Sequence, residues 1–176
     1  TICLIGKKEG VIVNPEEKGT EGIGQYRVAL LTEKTENVPT YQGKTVWIAG
    51  PGEYEVGGIE VEGYRSGEGA MYVVGVDRVR VGIIGKINEE LTEKRIDKIG
   101  ELDVLIFDVE IKVGYKYVVS LAKKLGVNYL IPLVGDDEEK KLAEFLDEMD
   151  EEGREKVGAI KIDGDELPEG MEVVVL

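Results

Sequence analysis

The chain has 176 residues, 36 Asp+Glu against 22 Lys+Arg, a formal charge of −14, no His and one Cys. That length suits one domain spanning 1–176, burying roughly 70% of its unfolded surface. Without imidazole, Ser-His-Asp and Cys-His catalysis are excluded, and one thiol builds neither a zinc site nor an intrachain disulfide. The acidic balance speaks against nucleic acid or an anionic membrane as partner.

Taken in order, the first half reads as short strands. Thr1–Ile5, Gly10–Val13, Tyr26–Leu31, Thr45–Ala49, Glu53–Val56, Gly58–Glu62, Ala70–Val76 and Val79–Ile84 are rich in Val, Ile and Tyr and are punctuated by Gly and Pro. Cys3 sits in the apolar run Ile2–Ile5 and reads as a buried small hydrophobe. Val76-Asp77-Arg78-Val79 reads as a tight hairpin link.

Helical spacing begins only at Thr92–Ile99, which stops at Gly100. A second apolar stripe runs through Tyr117, Val118, Leu121, Ala122 and Leu125 to Gly126. The third joins Leu142, Phe145, Leu146 and Met149, with Asp136 or Asp137 as its N-cap. Between them, Val104–Val109 and Tyr129–Leu133 are continuous apolar runs, as expected of strands covered on both faces. Lys156–Ile162 and Met171–Leu176 read as closing strands.

Local motifs add little chemistry. Gly43-Lys44-Thr45 ends like a phosphate loop, but Val38 stands where its first Gly belongs and a strand follows instead of a helix. Gly67-Glu68-Gly69 lacks a third Gly, and Asp163-Gly164-Asp165 lacks the remaining ligands of a calcium loop. Ser120 lies one helical turn from Lys116 and Lys124, as residues of a solvated face do. The acidic run Asp136–Lys156 reads as an exposed helix face.

Gly50-Pro51-Gly52-Glu53-Tyr54-Glu55-Val56 resembles a segment of small metallo-β-lactamase-fold hydrolases, the group that includes zinc-dependent hydrolases and ascorbate-phosphate lactonases. Asp77–Val109 and Leu125–Leu133 resemble later stretches of that family in the same order, and Asn14-Pro15 stands where an Asp-Pro is common. The resemblance implies an α+β fold, a four-layer αββα sandwich with a metal site at the sheet edge. The family's first His-rich loop corresponds to Thr32-Glu33-Lys34-Thr35-Glu36-Asn37, its next His to the loop Tyr64–Gly67, its bridging Asp to Lys86, and its last His to Val134-Gly135.

No ligand of that kind stands at any of these positions. The vestigial loop residues are Glu33, Lys34, Thr35, Glu36, Asn37, Lys86 and Val134, and Lys34 and Lys86 would set ammonium groups where a dication belongs. Glu33, Glu36 and Asp136 could form a carboxylate site for magnesium or calcium, but not for zinc. The expectation is therefore a cytoplasmic, non-catalytic protein without metal or cofactor. It would act as a binding or self-assembly module, as a homo-oligomer or with a protein partner, through terminal edge strands Thr1–Ile5 and Met171–Leu176. The alternatives are a hydrolase-like enzyme with a rebuilt, zinc-free acid-base site drawn from Glu33, Glu36, Lys34, Lys86 or Asp108, and a small-molecule binder in the vacated metal pocket.

Overall fold

The computed structural model describes residues 1–15, 22–34, 43–67, 69–135, 138–151 and 154–176. Runs of β-branched residues build two sheets. The smaller takes β1 (Ile2–Ile5), β2 (Gly10–Val13), β3 (Val28–Leu30) and β4 (Val46–Ile48) in that order, parallel except for β1 against β2.

The larger has seven strands. A meander of β5 (Gly52–Val56), β6 (Ile59–Ser66), β7 (Gly69–Val76) and β8 (Val79–Ile84) is antiparallel throughout. From β8 the sheet continues in parallel through β9 (Val104–Asp108), β10 (Tyr129–Leu133) and the short β11 (Glu172–Val173). The parallel crossovers carry α1 (Glu93–Ile99), α2 (Tyr115–Lys124) and α3 (Glu139–Glu148), as parallel neighbours require a long connection.

Alternation along the central strands separates two cores. On one face Tyr72, Val74, Val81, Ile83 and Ile106 meet Val11, Val13, Val28 and Leu30 of the small sheet. On the other, Met71, Val73, Ile84, Leu105 and Phe107 meet the apolar stripes of the helices. Phe145 of α3 is fully buried there, edge-on to Phe107 at 5.0 Å and to Tyr115 at 5.5 Å. Gly82 leaves room for this packing, since a Cβ would lie 2.5 Å from Leu102 Cδ1.

The α+β class and the two-sheet sandwich hold. The three α-helices among the described residues cover the large sheet. Over the outer face of the small sheet, the described residues place one 3-10 turn, Ile23–Gln25, packed with Ile12, Ala29, Tyr26 and Trp47.

Several local expectations are corrected. Lys156–Ile162 is not a strand; it makes one bridge, Lys156 to Val175, along the outer edge. The α3 N-cap is Glu138 rather than Asp136 or Asp137, both of which lie outside the described residues. Tyr64–Ser66 belong to β6, not to a loop. Cys3 is exposed rather than buried, because β1 is the edge of the small sheet; its thiol accepts from the Tyr26 hydroxyl at 3.0 Å. The hairpin at Asp77-Arg78 is as expected, with both residues at positive φ (48° and 71°).

Candidate functional site

The parallel strands β8, β9 and β10 end together, and ligands of open α/β sheets gather beyond such carboxyl ends. β9 ends at Asp108, and the extensions of the three strands are Gly85-Lys86, Val109-Glu110 and Val134-Gly135. From the small sheet, β3 runs on into Thr32-Glu33-Lys34 at the same edge.

Thr32 is the floor of this edge. It is buried, its N–H donates to Asn14 Oδ1 (2.9 Å), and Asn14 Nδ2 donates to its hydroxyl (2.8 Å). Asn14 holds this position from a left-handed φ of 46°, which Asn tolerates better than most residues. The Thr32 carbonyl accepts from Ala70 N–H (2.9 Å), joining the two sheets.

Above the floor lies a charged cluster. Lys86 Nζ is 2.7 Å from Glu110 Oε2 and 3.5 Å from Glu33 Oε1. Lys141 of α3 approaches the other Glu110 oxygen at 2.7 Å and Glu138 at 3.8 Å. Glu138 Oε2 also accepts from Gly135 N–H, and Asp108 Oδ1 accepts from Glu110 N–H at 2.8 Å. Carboxylate oxygens of Asp108, Glu110 and Glu138 all lie within 4.8 Å of one another.

Each charge is shifted by this company. Hydrogen bonds from Lys141 and Lys86 hold the Glu110 carboxyl far below its ordinary range, at about 2. The hydrogen bond to Glu110 raises Lys86 well above an ordinary lysine, so it stays an ammonium throughout the neutral range. Asp108 moves the opposite way, raised mainly by desolvation of its half-buried carboxyl.

A cleft of about 380 Å³ opens over Lys86 and Glu110, with Glu33, Lys34, Lys112 and Asn88 on its walls. Of the residues singled out from sequence, Glu33, Lys34 and Lys86 meet here. Val134 is partly buried against the helix-side core and supplies no functional group. Thr35, Glu36 and Asn37 lie outside the described residues. The sequence reading missed Glu110, Glu138, Lys141 and Lys112. For Glu110 the signal was its place two residues after Asp108, just past the end of a buried parallel strand.

The family resemblance implies zinc, and this donor set does not suit it. Zinc favours imidazole and thiolate; the chain has no His, and its only Cys, Cys3, lies on β1, the outer edge of the small sheet. The carboxylates suit a hard cation by type, but both oxygens of Glu110 are already held by lysines.

Residues 17–134, more than half of the chain, match the model of the Beta-lactamase superfamily domain. The chain belongs to the beta-lactamase superfamily. Among solved structures of the superfamily fold, it is similar to a protein from Thermotoga maritima named as a Zn-dependent hydrolase of the metallo-beta-lactamase superfamily. That likeness has TM-score 0.73 and 21% identity, over 98% of this chain and 92% of that one. A protein from Parabacteroides distasonis named as a metal-dependent hydrolase follows at TM-score 0.56 and 12% identity, covering 96% and 85%. A diphosphatase from the PhnP family gives 0.52 and 11%, covering 94% and 76%. A search of curated protein sequences finds no match.

These names correct the expectation of a chain that is not an enzyme. The superfamily neighbours are named for hydrolysis, and the edge where a catalytic centre would sit carries a charged cleft. The inference from absent His removed one kind of chemistry, not chemistry as such.

Proposed function

We propose that this superfamily member is a hydrolase working through a lysine–carboxylate centre at the ends of β8, β9 and β10. The observation that carries the reading is Lys86, locked between Glu110 and Glu33 with its ammonium on the cleft. A fixed positive charge at that point stabilises the oxyanion that forms when water attacks an ester-like bond. Glu110 keeps Lys86 charged and aimed, and Lys141 keeps Glu110 ionised. Asp108 is the acid-base group: desolvation raises its carboxyl above an ordinary aspartate, and its carboxylate lies within 4.8 Å of that of Glu110, which lines the cleft.

The test is hydrolysis of a panel of carboxylic esters, lactones and phosphodiesters by chelator-treated protein. Lys86→Ala and Asp108→Asn should each lower turnover by about 10²-fold or more, with folding intact by circular dichroism. Activity that appears only with added Mg²⁺ or Mn²⁺, and survives Lys86→Ala, would move the centre to the carboxylates and overturn the lysine reading.

A further inference from the structure

We propose that the open edge of β1 pairs antiparallel with β1 of a second copy, joining two small sheets across a two-fold axis into one continuous sheet. The proposal stands apart from the hydrolase reading, since β1 contributes no residue to the cleft over Lys86.

Which backbone groups are open follows from the register. β1 and β2 pair as Ile2 with Val13, Cys3 with Ile12, Leu4 with Val11 and Ile5 with Gly10. Just beyond them Gly6 N–H donates to the Glu9 carbonyl at 3.0 Å, so that position is of the hydrogen-bonded kind. Such positions recur at every second residue of an antiparallel ladder, which turns the N–H and C=O of Leu4 and Ile2 towards β2. Cys3 and Ile5 therefore point theirs outward. Among the described residues no hydrogen bond reaches these four groups.

The edge also lacks the devices that keep strands apart. β1 carries no charge and no Pro, its ladder has no bulge, and Ile5 is 80% exposed on it. The edges of the large sheet are guarded: β5 carries Glu53 and Glu55, and the bridge from Lys156 to Val175 runs beside β11. The formal charge of −14 opposes self-association in general, but acidic α3 packs on the opposite face of the large sheet from the small one. The turn after β1 holds Lys7, Lys8 and Glu9.

β1 is fixed before any partner arrives. Lys7 N–H donates to Asp77 Oδ2, the Tyr26 hydroxyl donates to Cys3 Sγ, and Ile2 and Leu4 pack on the core between the sheets. A preformed edge loses little conformational entropy on binding.

A second β1 meets all four open groups at once. A two-fold axis at Leu4 sets Cys3 opposite the partner's Ile5 and Ile5 opposite the partner's Cys3. Each of these pairs exchanges two hydrogen bonds, so every open group is used and each Ile5 lies against a thiol. Isologous pairing of this kind closes as a dimer.

Sedimentation velocity over a concentration series tests the proposal, and a concentration-dependent dimer is expected. Ile5→Pro removes an outward N–H that β2 does not use, and should raise the dissociation constant about tenfold or more with circular dichroism unchanged. Ile5→Lys, which keeps the N–H but charges the edge, should do the same. Val46→Lys, on the opposite edge of the small sheet, should change nothing. A monomer at every concentration, or a dimer that withstands both Ile5 variants, would overturn the proposal.

Cross-linking checks the register without relying on those variants. It places Cys3 about 5.5 Å, Cα to Cα, from position 5 of the partner, but about 7–8 Å from the partner's Cys3. Wild-type chain mixed with Cys3→Ser/Ile5→Cys should therefore form a mixed disulfide under mild oxidation faster than either chain with itself. Equal rates for all three combinations would overturn the pairing about Leu4.

Discussion

Glu110 is the residue on which the charged cluster turns. Its carboxyl titrates in the folded chain at about 2 rather than 4.5, so its favourable contacts are complete above pH 4.5 and vanish as pH falls towards 2. Stability measured by urea unfolding should fall across that window, and Glu110→Gln should remove that part of the slope. Asp108 has the opposite sign: its raised pKa means the folded state pays for charging it, and that cost grows as pH rises. Asp108→Asn keeps an acceptor for the Glu110 N–H while removing the charge. It should leave the melting temperature at pH 7 unchanged or raise it by about 2 °C, read by calorimetry, while lowering turnover by about 10²-fold or more. Neither shift was legible in sequence, because that of Glu110 depends on lysines brought from beyond β8 and from α3, and that of Asp108 on burial that only the packed structure supplies.

At the scale of elements, the site is held by what lies beneath it. Gly69 opens β7, and a Cβ there would run into the Thr32 carbonyl oxygen, a backbone atom that cannot swing aside. Gly69→Ala should therefore cost about 1–3 kcal/mol in urea unfolding and disturb Glu33 and Lys34, which follow Thr32 directly. Phe145 anchors α3 against Phe107 and Tyr115, and the Tyr115 hydroxyl lies 3.1 Å from the carbonyls of Val109 and Lys141. Phe145→Ala should cost about 3–5 kcal/mol by the same measurement and loosen Lys141 from Glu110. The stripes of α2 and α3 were visible as periodicity in the sequence, since burial on one face requires apolar residues at helical spacing. The false strand at Lys156–Ile162 had the composition of a strand but no neighbour to pair with beyond one bridge.

For the whole molecule, the terminal strands are sheet edges, as their position in the sequence suggested: β1 borders the small sheet and β11 the large one. They differ in exposure. The Met171–Leu176 edge is partly covered, with Val157 N–H donating to the Val175 carbonyl and Val173 and Val175 buried. By contrast β1 has exposed Cys3 and Ile5, with Ile5 at 80% exposure and no charge within the strand. If chains self-associate by strand pairing, β1 is the edge that does it. Light scattering after size exclusion should show a concentration-dependent dimer that Cys3→Lys disperses and Val174→Lys does not; a monomer at every concentration would remove the self-assembly expectation. No helix among the described residues is long and apolar enough to cross a membrane.

The sequence alone determined the order of strands and helices as far as α3, because strand alternation, helical stripes and Gly stops act over a few residues and leave a local trace in composition. It also determined that an imidazole-ligated zinc centre has no place here, since that needs a residue type the chain lacks. The Gly-Pro-Gly-Glu-Tyr-Glu-Val segment carried the family resemblance that implied the fold, and its glycines stand at φ 151° before β5 and 156° at its first residue. What only the tertiary structure decided was the company each charge keeps. Lys86 and Glu110 lie just beyond β8 and β9 and Lys141 within α3, far apart in the chain, and only the parallel strand order and the packing of α3 on the sheet bring their charges to 2.7 Å. Coulomb interactions at that distance depend on space rather than on sequence separation, so a site assembled from them becomes readable only once the strands are in register.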